Sequence, residues 1–124
     1  MTVSFVLDTE FVSELQRGKD AAKQFFATLE PERVAATVIS AKEQLEGRFG
    51  PIKDAEKDRA SGKLPSAYRY LRETIEFYRD VPLLDYTEES ETCHHEIRKN
   101  LSRQKLREHD LRIGCIALTI GAAV

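Results

Sequence analysis

Apolar and polar positions follow two periods along this chain, one suited to buried strands and one to helices. Thr2 to Thr9 reads Thr-Val-Ser-Phe-Val-Leu-Asp-Thr, and its Val3, Phe5, Val6 and Leu7 are dense enough for a strand buried on both faces. Phe11, Val12 and Leu15 at i, i+1 and i+4 predict a short helix that ends at Arg17-Gly18, with Gly18 just past its end. Asp20 is the expected cap of a second helix carrying Ala21, Ala22, Phe25, Phe26 and Leu29, which Pro31 stops. Val34 to Ile39 is the second buried strand, and Ser40 is the expected cap of a third helix over Ala41 to Phe49.

Gly50 to Lys63 is polar, mixed in charge and punctuated by Pro51 and Ser61-Gly62, so an exposed connection is expected there. Helical spacing then returns: Leu64, Ala67, Tyr68, Leu71, Ile75 and Tyr78 form one face of a long helix. Val81 to Leu84 reads as a short third strand. Thr87 caps a fifth helix, whose predicted buried line is Cys93, Ile97 and Leu101. A sixth helix starts near Asp110 and is apolar almost all round, which predicts burial. Gly121 closes it, and Ala122 to Val124 reads as the start of a fourth strand. Strands alternating with helices argue for a parallel sheet covered on both faces, with right-handed crossovers.

The 124 residues suit a single domain, and 41% hydrophobic with 32% charged residues places it among globular chains. The net charge of −2 gives the molecule as a whole no pull on a polyanion, so any nucleic-acid surface must be local. Cys93 and Cys115 fit no paired motif and read as free thiols of a cytoplasmic protein. The N-terminus lacks the basic lead of a secretory signal, and the apolar run Ile113 to Val124 is too short to span a bilayer.

Three acids fall at element ends: Asp8 after the first strand, Glu43 in the first turn of the helix after the second strand, and Asp110 at the start of the last helix. Each has a purely structural alternative, since Asp8 or Asp110 can cap a helix and Glu43 can complement a helix dipole. Brought together on one sheet end, they would repel one another unless a cation neutralised them. Oxygen ligands of this kind suit Mg²⁺ or Mn²⁺.

These same residues carry a resemblance to a known family. Val6-Leu7-Asp8-Thr9 resembles the opening motif of the PIN-domain nucleases. Glu43, followed by Leu45 and Gly47, is similar to their second motif. Asp110-Leu-Arg-Ile-Gly-Cys-Ile-Ala-Leu118 is similar to their third. The likeness runs the length of the chain and is nearest to the VapC-like toxins. It implies a three-layer α/β/α sandwich with a central, mostly parallel sheet, and a metal-dependent endoribonuclease with Asp8, Glu43 and Asp110 as catalytic metal ligands, a small antitoxin partner and often a homodimer. Glu10 stands where the family commonly has Asn, and Gly114 where it usually has Ala. The family continues through a strand with a Thr and a fourth acid. The expectation is thus a single PIN-like domain over 1–124 without that strand region, and its alternative is a catalytically impaired relative that acts by binding RNA or a partner. A receiver-like domain also clusters acids at a sheet edge, but the chain offers no suitable Asp after a central strand and no later Lys in a strand-end loop.

Between Arg98 and Arg112 stand six basic residues and two acids, a local excess that leads into Asp110. Arg103, Lys105, Arg107 and Arg112 are therefore the candidate RNA contacts. Tyr68, Tyr70 and Phe77 have the chemistry to stack on bases, but their helical spacing favours core or dimer packing. His94 and His95, adjacent on a helix, point about 100° apart and are poorly placed to chelate one zinc ion. His109 is expected to be exposed, within reach of Asp110 or a phosphate.

Overall fold

The computed structural model describes residues 2–100 and 107–124. Its centre is a parallel sheet of three strands: β1 (Phe5–Val6), β2 (Val34–Thr37) and β3 (Leu83–Leu84), in the order β1-β2-β3. Phe5 and Val6 register with Val34 and Ala35, and Ala36 and Thr37 with Leu83 and Leu84. The fourth strand begun at Ala122 amounts to one parallel bridge on the free edge of β1: the Val6 amide donates to Ala123 O at 2.7 Å, and the Ala123 amide to Ser4 O at 2.9 Å. β1 is shorter than the apolar run predicts because the chain turns into a helix directly after Asp8.

Six α-helices, with short 3₁₀ turns at Pro31–Arg33 and Arg59–Ser61, complete the described fold: α1 (Thr9–Gln16), α2 (Asp20–Ala27), α3 (Val38–Lys57), α4 (Leu64–Asp80), α5 (Glu88–Asn100) and α6 (Glu108–Ile120). Successive residues of a strand face opposite ways, and here they meet two separate cores. Val6 packs with Ile39 of α3 and with Ile113, Ile116 and Ala117 of α6. Leu7 packs with Val34 and Val12, against Phe11, Phe26, Phe77 and Tyr78. Helices thus cover both faces of the sheet, as expected for a three-layer sandwich.

Several boundaries differ from the sequence reading. The cap of α2 is Lys19 and not Asp20, which is already helical. The cap of α3 is Thr37 and not Ser40: the Ser40 amide donates to the Thr37 hydroxyl at 3.2 Å. The helix so begun runs through Gly50 and Pro51 to Lys57, across the stretch expected to be a connection. Pro51 removes one backbone donor, at a cost of about 3 kcal/mol in a helix interior. Burial of Ile52 and Ala55, on the length of α3 that packs along α4, opposes that cost.

On α4 the fully buried residues are Ala67 and Thr74, while Tyr68 and Ile75 are 52% and 55% exposed, so the buried stripe is rotated from the expected one. On α5 the Thr87 cap forms, with the Ser90 amide donating to its hydroxyl at 3.1 Å. The buried line is Ser90 and His94; Cys93 and Ile97 are half-buried, and Leu101 lies outside the described residues. α6 starts two residues before Asp110, buries Ile113, Cys115, Ile116 and Ala117, and leaves Leu118 exposed. Gly121, at φ 73°, closes it with the Ala122 amide reaching back to Ala117 O at 2.9 Å, a Schellman ending. Among the described residues, no helix is long and apolar enough to cross a membrane.

Candidate functional site

Parallel strands point their carboxyl ends the same way, and ligands of open α/β sheets sit outside those ends. There, between the N-terminal ends of α1, α3 and α6, lies a cleft of about 340 Å³ lined by Asp8, Thr9, Glu10, Glu43, Arg107 and Asp110. All three predicted acids reach it, from positions spread over the length of the chain.

Asp8 has two tasks. As the residue before α1, it accepts the Phe11 amide on Oδ1 at 2.8 Å and caps the helix while facing the cleft. Thr9 shares a 2.9 Å hydroxyl–hydroxyl bond with the buried Ser40, which ties the start of α1 to the start of α3. Glu43, the sixth residue of α3, is half-buried, and its Oε2 lies 2.9 Å from Nδ1 of His109. Asp110 is the third residue of α6 and is exposed, so it is not the helix cap; that position belongs to Arg107. Glu10 adds a fourth carboxylate and Arg107 a guanidinium.

The backbones beneath these groups are anchored by polar contacts that sequence reasoning missed. Beside Glu43, the buried Gln44 turns into the protein, where its amide bonds to Ser13 and Gln16 of α1 and Tyr78 of α4. Burial pushes the Tyr78 hydroxyl well above its ordinary range, and the charge of Glu43 adds to the rise. Arg48 donates to the Thr74 hydroxyl at 2.9 Å and closes the same seam.

At the other wall, Glu108 fixes the first turn of α6. His94 Nε2 meets Glu108 Oε2 at 2.7 Å, Arg98 pairs with its second oxygen, and Arg112 stands 3.8 Å away. Burial holds His94 below the ordinary imidazole range, and the positive charge of Arg112 pushes the same way. Facing a carboxylate oxygen, which accepts, the ring presents Nε2–H as the donor.

The predicted basic surface is thereby divided. Arg112 is drawn toward Glu108, Arg107 lines the cleft, and Arg103 and Lys105 lie outside the described residues. His94 is committed to Glu108, and His95 is exposed.

The donor set of the cleft is hard oxygen. Among the described residues, no three side chains of His, Cys, Asp or Glu are grouped closely enough to hold one bare ion. The chemistry and the space still fit a hydrated one, since Mg²⁺ keeps several waters and takes only one or two carboxylates directly.

No family model and no curated protein matches the chain. Among solved structures, it is similar to a toxin–antitoxin complex from Klebsiella pneumoniae. The two share 18% identity over 96% of this chain and 82% of that one, with a TM-score of 0.68. At that identity the likeness shows a shared α/β fold.

Proposed function

We propose that the chain is a PIN-like, Mg²⁺- or Mn²⁺-dependent endoribonuclease and the toxin of a cytoplasmic toxin–antitoxin pair. The observation that carries this reading is the meeting of Asp8, Glu43 and Asp110 in one cleft at the carboxyl end of the sheet. The solved structure it is similar to is a toxin–antitoxin complex, which supports a small antitoxin as partner. The exposed Phe49, Tyr68, Tyr70 and Ile75 on α3 and α4 offer apolar area for a homodimer.

Asp8, Glu43 and Asp110 are the residues that would hold the ion. When bound, it supplies an activated water and neutralises charge at a phosphodiester. The chain supplies the rest. Arg107 offers a bidentate donor for a substrate phosphate, at the edge of a cleft whose carboxylates would otherwise repel it. The α1 N-terminus, capped by Asp8, directs its dipole at the same place. Thr9 and Ser40 hold two walls of the cleft in register.

The test is RNA cleavage by the full chain with and without added Mn²⁺, compared with Asp8→Asn. Cleavage without a divalent ion, or an unchanged variant, rejects the reading. A second reading is a PIN-like protein that binds RNA or a partner without cutting. Two observations favour it: among the described residues no three side chains are grouped as ligands, and Glu10 adds negative charge to the rim. RNA binding with no cleavage under any divalent ion selects it.

A further inference from the structure

We infer that His109 is the positioning residue of the cleft, holding the Glu43 carboxylate toward the centre where a hydrated divalent cation would sit. The inference rests on the metal-site reading proposed above. Its basis is the 2.9 Å contact between His109 Nδ1 and Glu43 Oε2. An ionised carboxylate only accepts, so Nδ1 carries the proton, and the bond fixes both the ring and the carboxylate.

Both ends are anchored independently, which separates this pair from an incidental surface contact. His109 follows Glu108, which His94 and Arg98 grip from α5. Glu43 precedes Gln44, which Gln16 and Tyr78 grip from α1 and α4. The pair therefore links α6 to α3 from just behind the cleft wall: Glu43 lines the cleft, and His109 holds it from outside that lining. It also meets an electrostatic need. Asp8, Glu10 and Asp110 line the same cleft and would drive a loose Glu43 side chain out toward solvent. One donor on Oε2 restrains that swing. Supporting hydrogen bonds of this kind typically change metal affinity about 10–100-fold when removed.

The experiment is a Mn²⁺ titration of the full chain at one fixed pH, with unbound Mn²⁺ read by its electron paramagnetic resonance signal. Wild type, His109→Ala, His109→Asn and His109→Gln are compared, each checked by a thermal melt without metal. An Asn side chain places its amide nitrogen where Nδ1 stands, whereas Gln places it nearer Nε2. We expect His109→Ala and His109→Gln to bind Mn²⁺ about 10–100-fold more weakly, with His109→Asn restored to near wild type. The Asn and Gln variants carry the comparison should Ala fail to fold. Equal or tighter binding by His109→Gln, or an Asn variant no better than Gln, overturns the positioning role while wild-type binding leaves the metal reading standing. A wild-type chain that takes up no Mn²⁺ overturns both.

Discussion

Gln16 and Gln44 exchange a reciprocal pair of amide hydrogen bonds, Gln44 Nε2 to Gln16 Oε1 at 3.0 Å and Gln16 Nε2 to Gln44 Oε1 at 3.1 Å. Gln44 completes its capacity by donating to Ser13 and accepting from the Tyr78 hydroxyl. A buried amide with both donors and both acceptors in use fixes three helices at once. It also fixes the backbone that carries Glu43. Gln44→Leu should therefore destabilise the fold by about 1–3 kcal/mol in urea unfolding, because three polar partners lose their mate. Tyr78→Phe should cost only about 1 kcal/mol, since Gln44 Oε1 keeps its bond from Gln16. The reverse order would make the tyrosine hydroxyl, not the amide, the centre of the seam.

Asp8 serves helix and cleft together, and two substitutions separate these tasks. Asn caps a helix about as well as Asp, so Asp8→Asn should melt near the wild-type temperature while removing the charge. On the nuclease reading proposed above, its Mn²⁺-dependent RNA cleavage should fall by more than the roughly 10–100-fold typical of losing a mere supporting group. Asp8→Ala should lose about 1 kcal/mol of stability in addition, because the Phe11 amide loses its acceptor. Equal melting temperatures for the two variants would show that the cap contributes nothing.

Stability should rise with pH through the range where an ordinary imidazole titrates. His94 is held below its usual value of 6.5 by burial, so at mildly acid pH the unfolded chain binds a proton that the folded chain refuses. The stabilisation is complete above about pH 6.5 and is lost as pH falls through that value toward the lower folded one. Replacing His94 with Gln should flatten this slope in denaturant midpoints measured from pH 5 to 8. Glu108→Gln should cost about 1 kcal/mol at neutral pH, a modest figure because the carboxylate is partly exposed to solvent.

The parts of the fold written in apolar density were legible in the sequence. Val34 to Ile39 reads as a buried strand from its apolar run; Val34 to Thr37 form one, all four buried, while Val38 and Ile39 open α3 instead. Thr37 and Ser40 are both good caps three residues apart, and local chemistry does not choose between them. The sheet chooses: pairing of Thr37 with Leu84 ends β2 there and lets the helix start at Val38. Asp8 and Asp110 were legible for the same reason that strands were, because one follows and the other opens a strongly apolar run; Glu43 was legible only by its place near the start of the helix after β2, where it lies in the second turn and not the first. Gln44, Glu108 and His94 were not legible. Each is a polar residue on a helix, and what distinguishes it is a set of partners from other elements. On α4, Tyr68 and Ile75 fit the helical period as well as Thr74 does. Only the position of α3 decides that Thr74 faces in and receives Arg48.

The passage of α3 through Pro51 is a direct test of tertiary packing against local preference. Gly50-Pro51 is a strong breaker signal, yet the helix continues to Lys57 and buries Ile52 and Ala55 beyond it. If that packing is what holds the helix together, relieving the local cost must stabilise the protein. Pro51→Ala restores a backbone donor and removes the ring's clash with the preceding turn, so it should raise stability by up to about 3 kcal/mol. Ala55→Asp, which places a charge in the α3–α4 seam, should destabilise the fold and free residues 50–57 for rapid amide exchange. A Pro51→Ala variant less stable than wild type would mean that the helix is interrupted at Gly50 and that the proline belongs to a turn.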